Sequence, residues 1–359
     1  MPSVHNFAAF CCALMSWTGL CNSVSAEVLS RAAGHNTVVC AGGSDTVVSI
    51  PFHRPPSFSA AVNGSPVVSA TTATISHKSE RALENGDLTN EPHYLQFTDG
   101  GARSGSVFPI SSHDASSITV DLGVDDLAGV TDGDRFQVVP FWTLATLFPK
   151  DTQSTIHVSA GKLAPTRKTR VLFFDDISQG SGLAPDRVYF LTTDGWFRSD
   201  RGFPVADNTV VPPGKALVIR HTSGDAGTTF IPRHLVFHGD YSTRLKTQIA
   251  GSQDNAIALV RPVPVKLSEL DLETFFSDST STAAGNRADE LLLYDNVATG
   301  FNKQPAATYF KVAGQWRRDD GATYPVADDE TIPSATGILI RKAANGSGST
   351  LLWSNTPRY

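Results

Sequence analysis

Apolar and polar residues alternate over short distances along this chain, and that period predicts strands. In Ile118-Thr119-Val120-Asp121-Leu122 every second residue is apolar, so Ile118, Val120 and Leu122 share one face of a strand. The runs Arg170 to Phe174, Ala216 to Arg220, Glu290 to Tyr294 and Gly337 to Arg341 are short, apolar and bounded by turn formers, as expected of strands covered on both faces. Asp194-Gly195 and Ala313-Gly314-Gln315 each separate two aromatic runs and predict β-hairpins. Helical periodicity is confined to Trp142 to Phe148 and Ser268 to Phe276, enough for one or two turns each.

The pattern repeats. Tyr189, Phe190, Trp196, Arg198 and Asp200 recur about 120 positions later as Tyr309, Phe310, Trp316, Arg318 and Asp320. Val171 to Asp176 matches Leu291 to Asn296, Pro204 to Asp207 matches Pro325 to Asp328, and Ile219-Arg220 matches Ile340-Arg341. Upstream, Gly251-Ser252-Gln253-Asp254-Asn255 matches Gly43-Ser44-Asp45-Thr46, which splits the first unit around an insertion. The expected fold is all-β: two duplicated sandwich- or barrel-like units, the first interrupted by a small inserted β-barrel. The first unit takes 27–56 and 141–245, the insertion 57–140 and the second unit 246–359. Five strands are expected in the insertion, at 66–75, 93–97, 106–110, 117–122 and 134–140, with Gly-rich turns between them.

Composition adds to this picture. Charged residues are only 18% of the chain, while Ser, Thr, Gly and Val are abundant, which suits sheets better than helical surfaces. A formal net charge of -6 and the absence of dense Lys/Arg clusters argue against a nucleic-acid partner. Met1 to Ala26 is apolar and ends in Val24-Ser25-Ala26, the pattern of a secretory signal peptide, although it lacks the usual basic start. Secretion, or a periplasmic or cell-surface location, is therefore expected, with no transmembrane span after signal removal. Cys40 is then the only cysteine left, so no internal disulfide can form, and its apolar setting suits a small buried hydrophobe.

Several motifs together resemble a known group. They are Gly43 to Pro51, Gly133-Asp134 with Pro140 to Leu144, the two Tyr-Phe hairpins, Gly337 to Lys342, and Trp353-Ser354-Asn355-Thr356-Pro357. In these the chain resembles an uncharacterised family of exported, repeat-containing β proteins from Verrucomicrobia and related bacteria. The resemblance implies export and repeated β organisation, and carries neither an activity nor site residues.

Candidate chemistry is sparse. Trp196 with Arg198, and Trp316 with Arg318, would make paired sugar platforms if exposed, since an indole stacks on a pyranose and a guanidinium binds its hydroxyls. The competing and preferred expectation is that both indoles pack in cores. Asp121, Asp125 and Asp126, with Asp132 and Asp134 downstream, offer hard oxygen ligands for calcium, but their spacing is not that of a calcium loop and solvated turns explain them better. His234 and His238 lack a third strong ligand nearby in sequence. No nucleophile elbow, zinc-protease helix, phosphate loop or dinucleotide fingerprint occurs, and no other cofactor is implied.

The leading expectation is an exported, non-catalytic structural or surface-binding protein of the cell envelope or extracellular matrix, acting on a surface glycan or by self-assembly. The alternative is a secreted polysaccharide-active enzyme whose Asp/Glu pair has no local signature. A porin-like barrel comes third.

Overall fold

The structure is a computed structural model that describes residues 31–79, 81–84, 86–99, 101–174 and 178–358. The expected signal peptide lies outside the described residues, as do Asp175 and Asp176 of the repeat. The fold is all-β. Among the described residues no helix is long and apolar enough to cross a membrane.

Two five-stranded antiparallel sheets carry the architecture. The first runs, strand by strand, Gly195–Arg198, Arg187–Thr192, Arg170–Phe173, Leu217–Arg220 and Asp45–Val48. The second runs Gln315–Arg318, Ala307–Val312, Glu290–Leu293, Gly337–Lys342 and Gln253–Ala258. Order and register agree step by step. Tyr189 lies opposite Arg198 as Tyr309 lies opposite Arg318, and Arg220 faces Asp45 as Arg341 faces Asp254. That last pair sets the upstream match: it places Ser44 with Gln253 rather than with Ser252, a correction of one residue. The strand Tyr241–Thr247 spans the expected boundary at 245/246. This strand pairs with Ser349–Asn355 and so goes with the second sheet's half of the chain.

One face of each sheet is packed on its own core. Val171, Tyr189, Leu191, Trp196 and Ile219 share one cluster, and Leu291, Tyr309, Trp316, Ile340 and Trp353 share the other. Cys40 is fully buried in the first, and burial pushes its thiol up, so it behaves as the small hydrophobe expected. Single turns of helix fall near both expected places, at Leu144–Leu147 and, as a 3-10 turn, Leu267–Glu269, and two further 3-10 turns that were not expected occupy Ala164–Thr166 and Ala284–Asn286.

The two halves solve one buried polar position differently. In the first, the His157 N–H donates to Thr169 Oγ1 (3.1 Å), which lies 2.8 Å from His221 Nδ1, and His221 Nε2 lies 2.8 Å from Thr228 Oγ1. Thr228 gives its own proton to the Thr155 carbonyl (2.8 Å) and so accepts from His221 Nε2–H, while burial, by lowering the pKa of the ring to about 4, favours the neutral imidazole. At the matching position of the second half, Lys342 forms a buried ion pair with Asp289, which also accepts from the backbone N–H of Ser277 (2.6 Å) and Ala343 (2.8 Å).

The insertion is a closed barrel of six strands, not five. Phe58–Val62, Thr72–Lys78, Ser117–Asp121, Val107–His113, His93–Phe97 and Arg135–Pro140 pair around the ring, and Val67–Ser69 attaches outside it to the strand Thr72–Lys78. The strand Phe58–Val62 was not expected. Phe58, Ile75, Leu95, Phe108, Ile118 and Phe136 fill the interior.

The two sheets hold each other through reciprocal contacts. The Asp45 N–H donates to the Gly300 carbonyl and the Asp254 N–H to the Gly180 carbonyl, both at 2.9 Å. Ser49 N–H reaches the Ala335 carbonyl (2.9 Å) as Ala258 N–H reaches that of Gly214 (3.0 Å). Such contacts, i to j and j to i, are what a twofold dimer interface would show, here made within one chain.

Candidate functional site

The duplicated tryptophans lie in the cores. Trp196 is 0% exposed and Trp316 3%. The Trp196 indole N–H donates to the Phe148 carbonyl (3.2 Å), and the Trp316 ring lies 4.7 Å from that of Phe276. Neither presents a face to a sugar. Arg198 pairs with Asp200 (2.8 Å), and Arg318 with Glu330 (3.4 Å), which also accepts from the Tyr309 hydroxyl (2.7 Å).

The calcium candidates are not brought together. Asp125 accepts from Arg244 Nε (2.8 Å), Asp126 is ion-paired with Arg103, and Asp121 is exposed. Among the described residues no three His, Cys, Asp or Glu side chains are grouped as metal ligands would be.

What the structure does assemble is a cleft of about 620 Å³ between the two sheets. Its walls are the sheet faces turned away from the cores. Leu172 and Val218 come from the first and Leu292 and Leu339 from the second. Two segments form its lips, 182–185 and 302–305. Each lip crosses to the opposite sheet: the Asn302 N–H donates to Asp45 Oδ2 and the Gly182 N–H to Asp254 Oδ2, both at 2.7 Å. Although placed alike, the lips differ chemically. One reads Gly182-Leu183-Ala184-Pro185 and the other Asn302-Lys303-Gln304-Pro305.

Among the described residues, each carboxylate lining the cleft lies against an arginine. Arg220 grips Asp45 with two bonds (2.6 and 2.8 Å) and Arg341 grips Asp254 likewise (2.8 and 3.1 Å). Glu290 lies between Arg287 (3.5 Å) and Arg341 (3.8 Å), while Asp319 accepts from Arg287 (2.6 Å). The Arg287 hydrogen bond holds the Asp319 carboxyl below the usual carboxylate range, and the bond to Asp254 raises Arg341 above an ordinary guanidinium. These two-pronged pairs are charge-assisted and directional, so they set the cleft's shape as well as its charge. Phe174 and Tyr294 add aromatic surface at equivalent positions, and burial pushes the Tyr294 hydroxyl up, so it stays a neutral donor.

No motif marked this cleft in the sequence, because its walls come from residues scattered between Asp45 and Arg341. The available signal was that an Asp and an Arg recur at matching steps of the two sheets. Comparison with protein families, with curated proteins and with solved structures returned no match.

Proposed function

We propose that this is an exported, non-catalytic surface-binding protein that receives a segment of glycan in the cleft between its two sheets. The observation that carries the reading is the arginine pairing of the four lining carboxylates among the described residues, Asp45, Asp254, Glu290 and Asp319. Glycoside hydrolysis needs one carboxyl that keeps a proton to donate and a second that is free to attack or to activate water. In the two-pronged pairs of Asp45 and Asp254 both carboxylate oxygens are already occupied by a guanidinium, which suits orientation of a ligand and leaves no oxygen free to attack or to activate water. A partly apolar cleft with aromatic faces and fixed polar groups suits a sugar chain, whose ring faces are apolar and whose edges are hydroxylated. Export rests on the residues Met1 to Ala26, and mass spectrometry of the native protein tests it by showing whether the chain begins near Glu27.

The cleft reading is tested by affinity electrophoresis against a panel of polysaccharides, with reducing-end release measured on the same samples. Retention that falls in Tyr294→Ala without release of reducing ends supports it. Release of reducing ends would put the enzyme reading in first place.

A further inference from the structure

The two sheets part company in charge at one place. On the cleft-facing side, the cross-strand row of the first sheet reads Asp45, Arg220, Arg170, Phe190, Phe197. The matching row of the second reads Asp254, Arg341, Glu290, Phe310, Arg317. Residues directly opposite on neighbouring strands project from the same face and interact. Above these rows Arg167 lies 4.4 Å over the Phe190 ring, and Arg287 lies 4.5 Å over Phe310.

In the second sheet the charges close on themselves, because Glu290 sits between Arg287 and Arg341, and Asp319 takes a further bond from Arg287. In the first sheet Arg170 stands in the place of Glu290 and Ser199 in the place of Asp319. On this side of the first sheet the three guanidiniums of Arg167, Arg170 and Arg220 face one carboxylate among the described residues, that of Asp45, and it pairs with Arg220 alone. Arg167 bonds only neutral groups, Ser199 Oγ (3.1 Å) and the Lys162 carbonyl (2.8 Å). The Arg170 side chain makes no hydrogen bond or ion pair among the described residues, and its Nε is buried without a partner. Like charges set opposite one another, as Arg170 and Arg220 are, cost stability unless an anion comes between them. Burial, and next the charge of Arg170, lower the proton affinity of Arg167.

We infer that Arg167, Arg170 and Arg220 form an oxyanion site that takes a carboxylate or sulfate group of the ligand, filling in the first sheet the place that Glu290 fills in the second. Arg220 lines the cleft, so the site lies beside the sugar-binding surface proposed above, and the choice of an acidic glycan as natural ligand rests on that reading. Guanidinium forks match the two oxygens of such groups in geometry as well as in charge.

The experiment uses the mature protein and Arg170→Glu, which gives the first sheet the row of the second, with Arg170→Gln as a neutral control. Melting temperature is followed in millimolar sulfate or acetate against chloride, and binding of polygalacturonate, dextran sulfate and neutral dextran by calorimetry. Arg170→Glu is expected to melt higher than wild type in chloride, to lose the specific response to sulfate and acetate, and to bind the acidic polymers about tenfold or more weakly, the loss of one charge-assisted contact. Polygalacturonate and dextran sulfate separate the carboxylate from the sulfate as the preferred source. Equal anion responses in wild type and both variants, or no response in wild type, overturn the site. A small-anion response with no polymer bound upholds the site and overturns the glycan reading.

Discussion

Ala216 and Gly337 hold the same position in the two sheets, and they meet each other. A Cβ added to Gly337 would stand 2.6 Å from Ala216 Cβ and 2.8 Å from Val47 Cγ1. One methyl fits where the two sheets touch, and the first sheet supplies it. Gly337→Ala is expected to destabilise the protein by about 1 to 3 kcal/mol through overpacking. Adding Ala216→Gly should recover part of that loss and not all of it, since Val47 remains. Urea denaturation of the single and double variants measures both effects.

The buried polar position at Thr169 and His221 has its counterpart at Asp289 and Lys342. Lys342→Met should cost about 3 to 5 kcal/mol, because Asp289 would be left as an unpaired buried charge. Carrying the first half's solution across, as Asp289→Thr with Lys342→His, should lose much less than Lys342→Met alone. A double-variant cycle by chemical denaturation decides this, and equal losses would mean that the two positions are not interchangeable.

His221 makes stability depend on pH. Burial, then the neighbouring His157, lower its pKa from about 6.5 to about 4. The unfolded chain takes up this proton from pH 6.5 downward, whereas the folded protein resists until about pH 4. Stability contributed by the neutral imidazole is therefore full above pH 6.5 and lost as pH falls towards 4, by up to about 3 kcal/mol. Urea midpoints for wild type and His221→Gln across pH 4 to 7 should converge towards the acid end.

Trp316→Ala should lower stability by about 3 to 5 kcal/mol, the range for removing a large buried aromatic. An unaltered melting curve would show that the indole is not packed as described.

The hairpins around Asp194-Gly195 and Ala313-Gly314 were legible because their turn chemistry and aromatic runs are local. Phe58–Val62 was missed because Phe-Ser-Ala-Ala-Val lacks both clean alternation and β-branched density, and it is a strand only by virtue of its neighbours in the barrel. The Gly-Ser doublets misled by one residue, since backbone register there is set by Asp45 facing Arg220 and Asp254 facing Arg341. The cleft was the least legible part. Asp45, Arg220 and Arg341 become neighbours of one space only through tertiary folding, and no spacing rule connects them.

The strand Asp45–Val48 ends the first sheet, and its outer edge is closed by residues that come far later: Asn296 bonds both the N–H and the carbonyl of Val47 at 2.8 Å, and the Gly300 carbonyl accepts from Asp45. A chain that emerges from its N-terminal end therefore exposes this edge until residue 300 has followed. At synthesis rates of about 5 to 20 residues per second that interval is on the order of 10 to 50 s. An uncovered edge strand is a template for pairing with another molecule. The nascent chain thus passes through a window in which a companion that shields strand edges governs yield, and truncations ending before Asn296 would carry that exposed edge permanently.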